Sequence, residues 1–151
     1  IDEFKFRCCI GKKSSTINKK EGDQKTPKGT FKIENLYFRK DRIKKPETKL
    51  KFINIKKNMG WCDDVKSKKY NKLIKINKNI HHEKLFRKDS KYNLLIPIKY
   101  NFDNTILGYG SCIFIHLTKN YNPTTGCIAL KKKDFLIILK LINKNTKIKI
   151  Y

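Results

Sequence analysis

A chain of 151 residues fits one domain, 1–151, long enough to bury well over half of its unfolded surface without a metal or disulfide to hold it. Its hydrophobic share of 38% excludes a disordered tail, and no run of 18 or more apolar residues is present to span a bilayer. The net charge of +24 comes almost wholly from lysines spread along the chain, with Arg only at positions 7, 39, 42 and 87. That pattern predicts at most weak, salt-sensitive attachment to an anionic polymer and no specific nucleic-acid binding.

The opening segment, Ile1 to Arg7, carries charge and no apolar core, so it does not read as a signal peptide. Phe4 to Ile10 reads as a strand leading into Gly11, and Lys12 to Gly29 as a polar loop with Gly22, Pro27 and Gly29. Thr30 to Glu34 alternates as a half-buried strand does, Leu50 to Ile55 alternates less cleanly, and Leu73 to Ile76 is short and β-rich. His82 to Arg87 predicts a brief helix. Tyr92 to Tyr100 predicts a strand in which Pro97 marks an edge or a bulge. Ser111 to His116 (SCIFIH) is the best buried strand. In the segment Lys131 to Ile142, Phe135, Ile138, Leu139 and Ile142 fall at helical spacing, with Asp134 suited to the positive end of the helix dipole. Thr146 to Tyr151 closes the chain as a strand. The total predicts a mainly β fold, a sandwich or barrel with one or two short helices.

Five cysteines, Cys8, Cys9, Cys62, Cys112 and Cys127, leave at least one unpaired, and no zinc-type spacing occurs. Chemistry concentrates in SCIFIHLTKNYNPTTGCIAL. His116 ends a strand, and Cys127 follows Thr124, Thr125 and Gly126. A strand end and a glycine turn bring imidazole and thiol together across a short loop, the pairing in which the imidazole takes the thiol proton. Such a thiol is expected to label at a lower pH than a free one. Amides around Gly126 and Cys127 are candidates to hold an oxyanion. The plain alternative is a core thiol beside a strand-end histidine.

The segment resembles the L,D-transpeptidase (YkuD-like) catalytic motif, a strand-end His followed by Ser or Thr, any residue, Gly and Cys: His116, Thr124, Thr125, Gly126 and Cys127. Glu21-Gly22-Asp23 with Thr26-Pro27-Lys28-Gly29-Thr30-Phe31 resembles the family's TPxG strand start. Trp61-Cys62-Asp63-Asp64, Tyr70-Asn71 and His82-Glu83 resemble a compact bacterial branch. Thr125 stands where the family often has His, Ala129 where it often has Arg, and the His-to-Cys loop is short. The resemblance implies that Cys127 attacks a peptidoglycan stem peptide with His116 as base. It implies a thioester passed to an amine as a cross-link, response to carbapenems, and a place in the cell envelope or periplasm. No metal or cofactor is implied.

Two residues and a neighbour remain open. Trp61 and Asp63 after Gly60 read either as part of the substrate cleft, with a carboxylate for a diamino acid's amine, or as a packed indole and a charge balancing lysines. His82 is favoured over His81 for the cleft by the resemblance. Cys112 reads as core. The competing functions are an L,D-carboxypeptidase or amide hydrolase on the same stems, and a non-catalytic basic module gripping a polyanion.

Overall fold

The computed structural model describes residues 3–151; Ile1 and Asp2, the start of the charged opening segment, lie outside the described residues. In chain order the strands are β1 (Cys8–Cys9), β2 (Ser15–Thr16), β3 (Thr26–Pro27), β4 (Gly29–Lys32), β5 (Leu36–Phe38), β6 (Phe52–Asn54) and β7 (Met59–Cys62). There follow β8 (Leu73–Lys75), β9 (His82–Lys84), β10 (Leu94–Pro97), β11 (Phe114–Leu117) and β12 (Ile128–Leu130). The helix α1 (Lys132–Leu141) and β13 (Lys147–Ile150) complete the chain. The fold is mainly β, as the sequence predicts. It is a set of sheets with no closed barrel among the described residues and with the one helix α1.

The main sheet has the order β1-β12-β11-β10-β5-β6. Its four inner strands are buried on both faces, and a two-residue period sorts their side chains between them. Leu36, Phe38, Leu94, Ile96, Ile115, Leu117, Ile128 and Leu130 form one aliphatic core with Phe135 and Leu139 of α1. The intervening Tyr37, Leu95, Phe114 and Cys127 face a second, aromatic core with Trp61 and Tyr92. The helix buries Phe135 and Leu139, one turn apart, and carries Asp134 in its first turn and Lys140 in its last. A three-stranded sheet, β8-β7-β9, covers the aromatic face, and β13 pairs with β4.

Two local expectations are overturned and a third is narrowed. His82 to Lys84 is a strand, antiparallel to β7, and not a brief helix: pairing of Trp61 with Glu83 and Cys62 with His82 overrides a weak helical propensity. β10 lies inside the main sheet between β5 and β11, so Pro97 marks no edge. The register slips by one residue there, from Leu95 opposite Tyr37 to Ile98 opposite Ile33, which is the other expectation, a bulge. Pro97 is the last residue of the strand, and its carbonyl accepts from Glu34 N at 2.9 Å. The strand expected over Ser111 to His116 is shifted to Phe114–Leu117, because Cys112 has a left-handed φ of 55° that breaks the extended run.

Candidate active site

β11 and β12 run parallel, with Ile115 opposite Ile128 and His116 opposite Ala129. Side chains two apart share a face, so His116 and Cys127 project to the same side of adjacent strands. The turn before Cys127 is tied by Thr124. Its hydroxyl donates to the Cys127 carbonyl at 2.6 Å and accepts from Gly126 N at 3.2 Å. Gly126 has φ 145°, and a Cβ there would stand 3.0 Å from the Lys25 carbonyl oxygen. Only glycine takes that backbone without strain. The amide of Gly126 is thus spent on Thr124.

The Cys127 sulfur lies 3.4 Å from Phe114 N, which donates to it, and donates its own proton to the Cys112 carbonyl at 3.1 Å. His116 donates from Nδ1 to the Leu117 carbonyl at 2.9 Å. A carbonyl only accepts, so the proton sits on Nδ1 and the Nε2 lone pair is left as the basic position. The Tyr92 ring meets the imidazole edge-on at 5.3 Å, and the Tyr92 hydroxyl donates to the Glu83 carboxylate. No hydrogen bond joins Cys127 to His116 among the described residues.

The charge states follow from burial. The Cys127 thiol is pushed up to about 12, first by burial and then by the Glu83 carboxylate, against the opposing Phe114 amide and Lys19. The His116 imidazole is pulled down to about 4, first by burial, with Lys91 and Arg87 adding to it. At neutral pH the pair is a neutral thiol and a neutral imidazole. This corrects the expectation of a thiol that labels at low pH: desolvation disfavours the thiolate more than its neighbours favour it.

Both side chains line one cleft of about 680 Å³. Its wall holds the carboxylates of Glu21, Asp63 and Glu83. Glu21 accepts from the Tyr70 hydroxyl and from Ser111 Oγ at 2.7 Å; Asp63 meets His81 Nδ1 at 2.5 Å; Glu83 lies 3.8 Å from Arg87. Burial lifts the Glu83 carboxyl above the ordinary range, opposed by Tyr92 and Arg87.

Of the residues expected from sequence, Cys127, His116, Gly126, Thr124, Thr125 and Asp63 line this cleft. Trp61 does not. It is 2% exposed, donates from Nε1 to Asn71 at 2.9 Å, and packs edge-on against Phe114 and Tyr37. His82 also stands outside, bonded to the Ile80 carbonyl at 2.7 Å with its ring against Gly60. The histidine near the cleft acids is His81, the one passed over. Cys112, expected in the core, is buried and lines the cleft beside Cys127. Tyr92 and Lys19 were missed, since a lone tyrosine in a strand and one lysine in a lysine-rich loop carry no local signal. Among the described residues no three His, Cys, Asp or Glu side chains gather as metal ligands.

A mainly β domain that presents a thiol and a neutral imidazole to one cleft has the arrangement of thiol-dependent acyl transfer. The chain belongs to the L,D-transpeptidase catalytic domain family (YkuD), whose sequence model matches residues 2–150. No curated protein and no solved structure matches it. The family acts on peptidoglycan stem peptides of the cell wall, and no helix among the described residues is long and apolar enough to cross a membrane.

Proposed function

We propose that this chain is a cysteine peptidyl-transferase that cross-links peptidoglycan stem peptides in the bacterial cell envelope through a thioester on Cys127. The observation that supports the reading best is the Nδ1 bond of His116 to Leu117, which leaves Nε2 basic on the face that carries Cys127. In the first step the Cys127 proton passes to Nε2 as sulfur bonds to the carbonyl carbon of an L-centre. The tetrahedral intermediate then breaks its C–N bond, and the imidazolium returns the proton to the nitrogen of the leaving D-residue. In the second step an amine of another stem attacks the thioester, Nε2 takes its proton, and the sulfur leaves and is reprotonated. Because the resting pair is neutral, His116 acts as a general base during attack and does not store a thiolate beforehand.

Asp63 and Glu83 line the cleft together with Lys19, Arg87 and Lys91, so the lining suits both a carboxylate and an amine of a stem peptide and leaves the choice of acceptor to experiment. The comparisons lend no support to the polyanion attachment suggested by the +24 charge. The test is incubation with a tetrapeptide stem donor and a stem bearing a free amine, read by chromatography and mass spectrometry. A cross-linked product with one D-residue released supports the reading. A released D-residue without cross-link makes the enzyme a carboxypeptidase, and neither product contradicts the proposal.

A further inference from the structure

One strongly charged group in the cleft has no part in these steps. Lys19 is 4% exposed, in a protein whose lysines otherwise serve the surface in great number. Burying an ammonium is costly unless it is paired and hydrogen-bonded. Lys19 meets both conditions: its Nζ is 2.5 Å from Asp23 Oδ1 and donates to the Lys20 carbonyl at 2.9 Å. Asp23 is itself held by Lys20 N at 2.8 Å and Lys25 N at 2.9 Å. The cation is therefore fixed and not a free arm.

Its position is built as well. The stem of Lys19 runs over Gly110, where a Cβ would stand 2.8 Å from Lys19 Cγ, and that glycine has φ 105°. The ammonium ends 3.8 Å from where a Cβ of Gly126 would be, beside the residue that precedes the nucleophile. Two ammonium hydrogens are taken by Asp23 and Lys20, and an ammonium has three.

We propose that Lys19 is the charge partner of the Cys127 nucleophile: its buried ammonium, fixed against Gly126, stabilises the negative charge that passes through the sulfur and the tetrahedral oxygen. The proposal rests on Cys127 being the nucleophile. The other groups that face the sulfur are Glu83 on β9, Tyr92, Cys112, and His116 on β11. Glu83 opposes the thiolate, His116 is neutral at working pH, and Tyr92 and Cys112 are held protonated by burial. Lys19 is the cation whose charge offsets, in part, the burial that pushes the thiol up. Of the amides expected to hold an oxyanion, that of Gly126 is already bonded to Thr124. A fixed positive charge in a desolvated site does the same work and needs no reorganisation during the reaction.

The test uses iodoacetamide on the intact chain, which reads thiolate availability whatever the natural substrate is. Alkylation rates are measured between neutral and alkaline pH by intact mass, with digestion assigning the adduct on Cys127. Lys19→Met and Lys19→Gln are each expected to slow alkylation of Cys127 about tenfold at a fixed pH, a shift of about one pH unit. Lys19→Arg is expected to stay near the wild-type rate. Lys19→Gln retains a donor toward Asp23, so it answers the question if Lys19→Met fails to fold. A purely structural lysine predicts the opposite sign, since a loosened cleft labels faster. Unchanged or faster alkylation in the neutral variants, or an Arg variant as slow as the Met variant, overturns the proposal. Turnover on stem peptides is scored separately with Cys127→Ala. Full turnover in that variant sinks Cys127 as the nucleophile and the Lys19 proposal with it, whereas lost turnover there with unchanged alkylation in the neutral Lys19 variants sinks the Lys19 proposal alone.

Discussion

The two faces of the main sheet are made from the same strands by alternate residues, yet they differ in kind. One face is aliphatic and closed by Phe135 and Leu139 of α1. The other mixes Tyr37, Trp61, Tyr92 and Phe114 with the thiol of Cys127 and the imidazole of His116. Apolar burial on the first face carries stability, about 25 cal/mol per Å² removed from water. On the second face burial is turned against charge: it raises the thiol and lowers the imidazole, so that both are neutral at pH 7. The sheet thus separates an aliphatic face from the face that carries the cleft, one residue apart along each strand.

The sharpest break of this contrast is in activity. Cys127→Ala and His116→Ala should each lower turnover by roughly 10⁴-fold or more, with no further loss in the double variant, because residues that act as a unit are not additive. Cys127→Ala should keep the fold, seen in an unchanged circular dichroism spectrum. Phe135→Ala is the mirror image. It should lose about 3–5 kcal/mol of stability in urea denaturation while activity per folded molecule is unchanged. Equal stability losses from both faces would dissolve the contrast.

A pH effect comes next in size. The folded His116 sits at about 4, against an ordinary value of about 6.5 in the unfolded chain. The unfolded state therefore binds more protons between those two values, so stability is lost as pH falls from about 6.5 to about 4 and levels off below. The loss should amount to roughly 3 kcal/mol. Urea denaturation across that window, compared between wild type and His116→Gln, checks it: the slope due to this group should vanish in the variant. A slope that persists assigns the loss to the carboxylates. Smallest is Thr124→Ala, which unties the turn before the nucleophile and should cost about 1 kcal/mol in thermal or urea unfolding.

Legibility in the sequence followed the same division. Phe135, Ile138, Leu139 and Ile142 announced α1 by spacing within the segment Lys131 to Ile142, and the helix runs from Lys132 to Leu141. The segment that lines the cleft was legible as a candidate because chemistry needs particular residue types, and His116, Gly126 and Cys127 are close in sequence. Leu36 to Phe38 and Ile128 to Leu130 went unread: they are buried on both faces, so the period-2 contrast that marks a strand is absent. Trp61, after Gly60, reads from sequence as either a cleft residue or a packed indole. Gly60 lets the His82 ring pack close, at 2.9 Å from where a Cβ would be, inside a strand. Lys19 was hidden by composition. What sets it apart is burial against residues more than ninety positions away, which only the fold supplies.

The central claim is that the thiol on the aromatic face is the nucleophile, and a carbapenem tests it most directly. A strained lactam carbonyl offers the same tetrahedral path as the stem peptide, and its thioester hydrolyses slowly. Intact-protein mass spectrometry after carbapenem exposure should show a single adduct, placed on Cys127 by digestion and absent from Cys127→Ala. An adduct on Cys8, Cys9 or Cys62 instead, or one that persists in Cys127→Ala, would contradict the account.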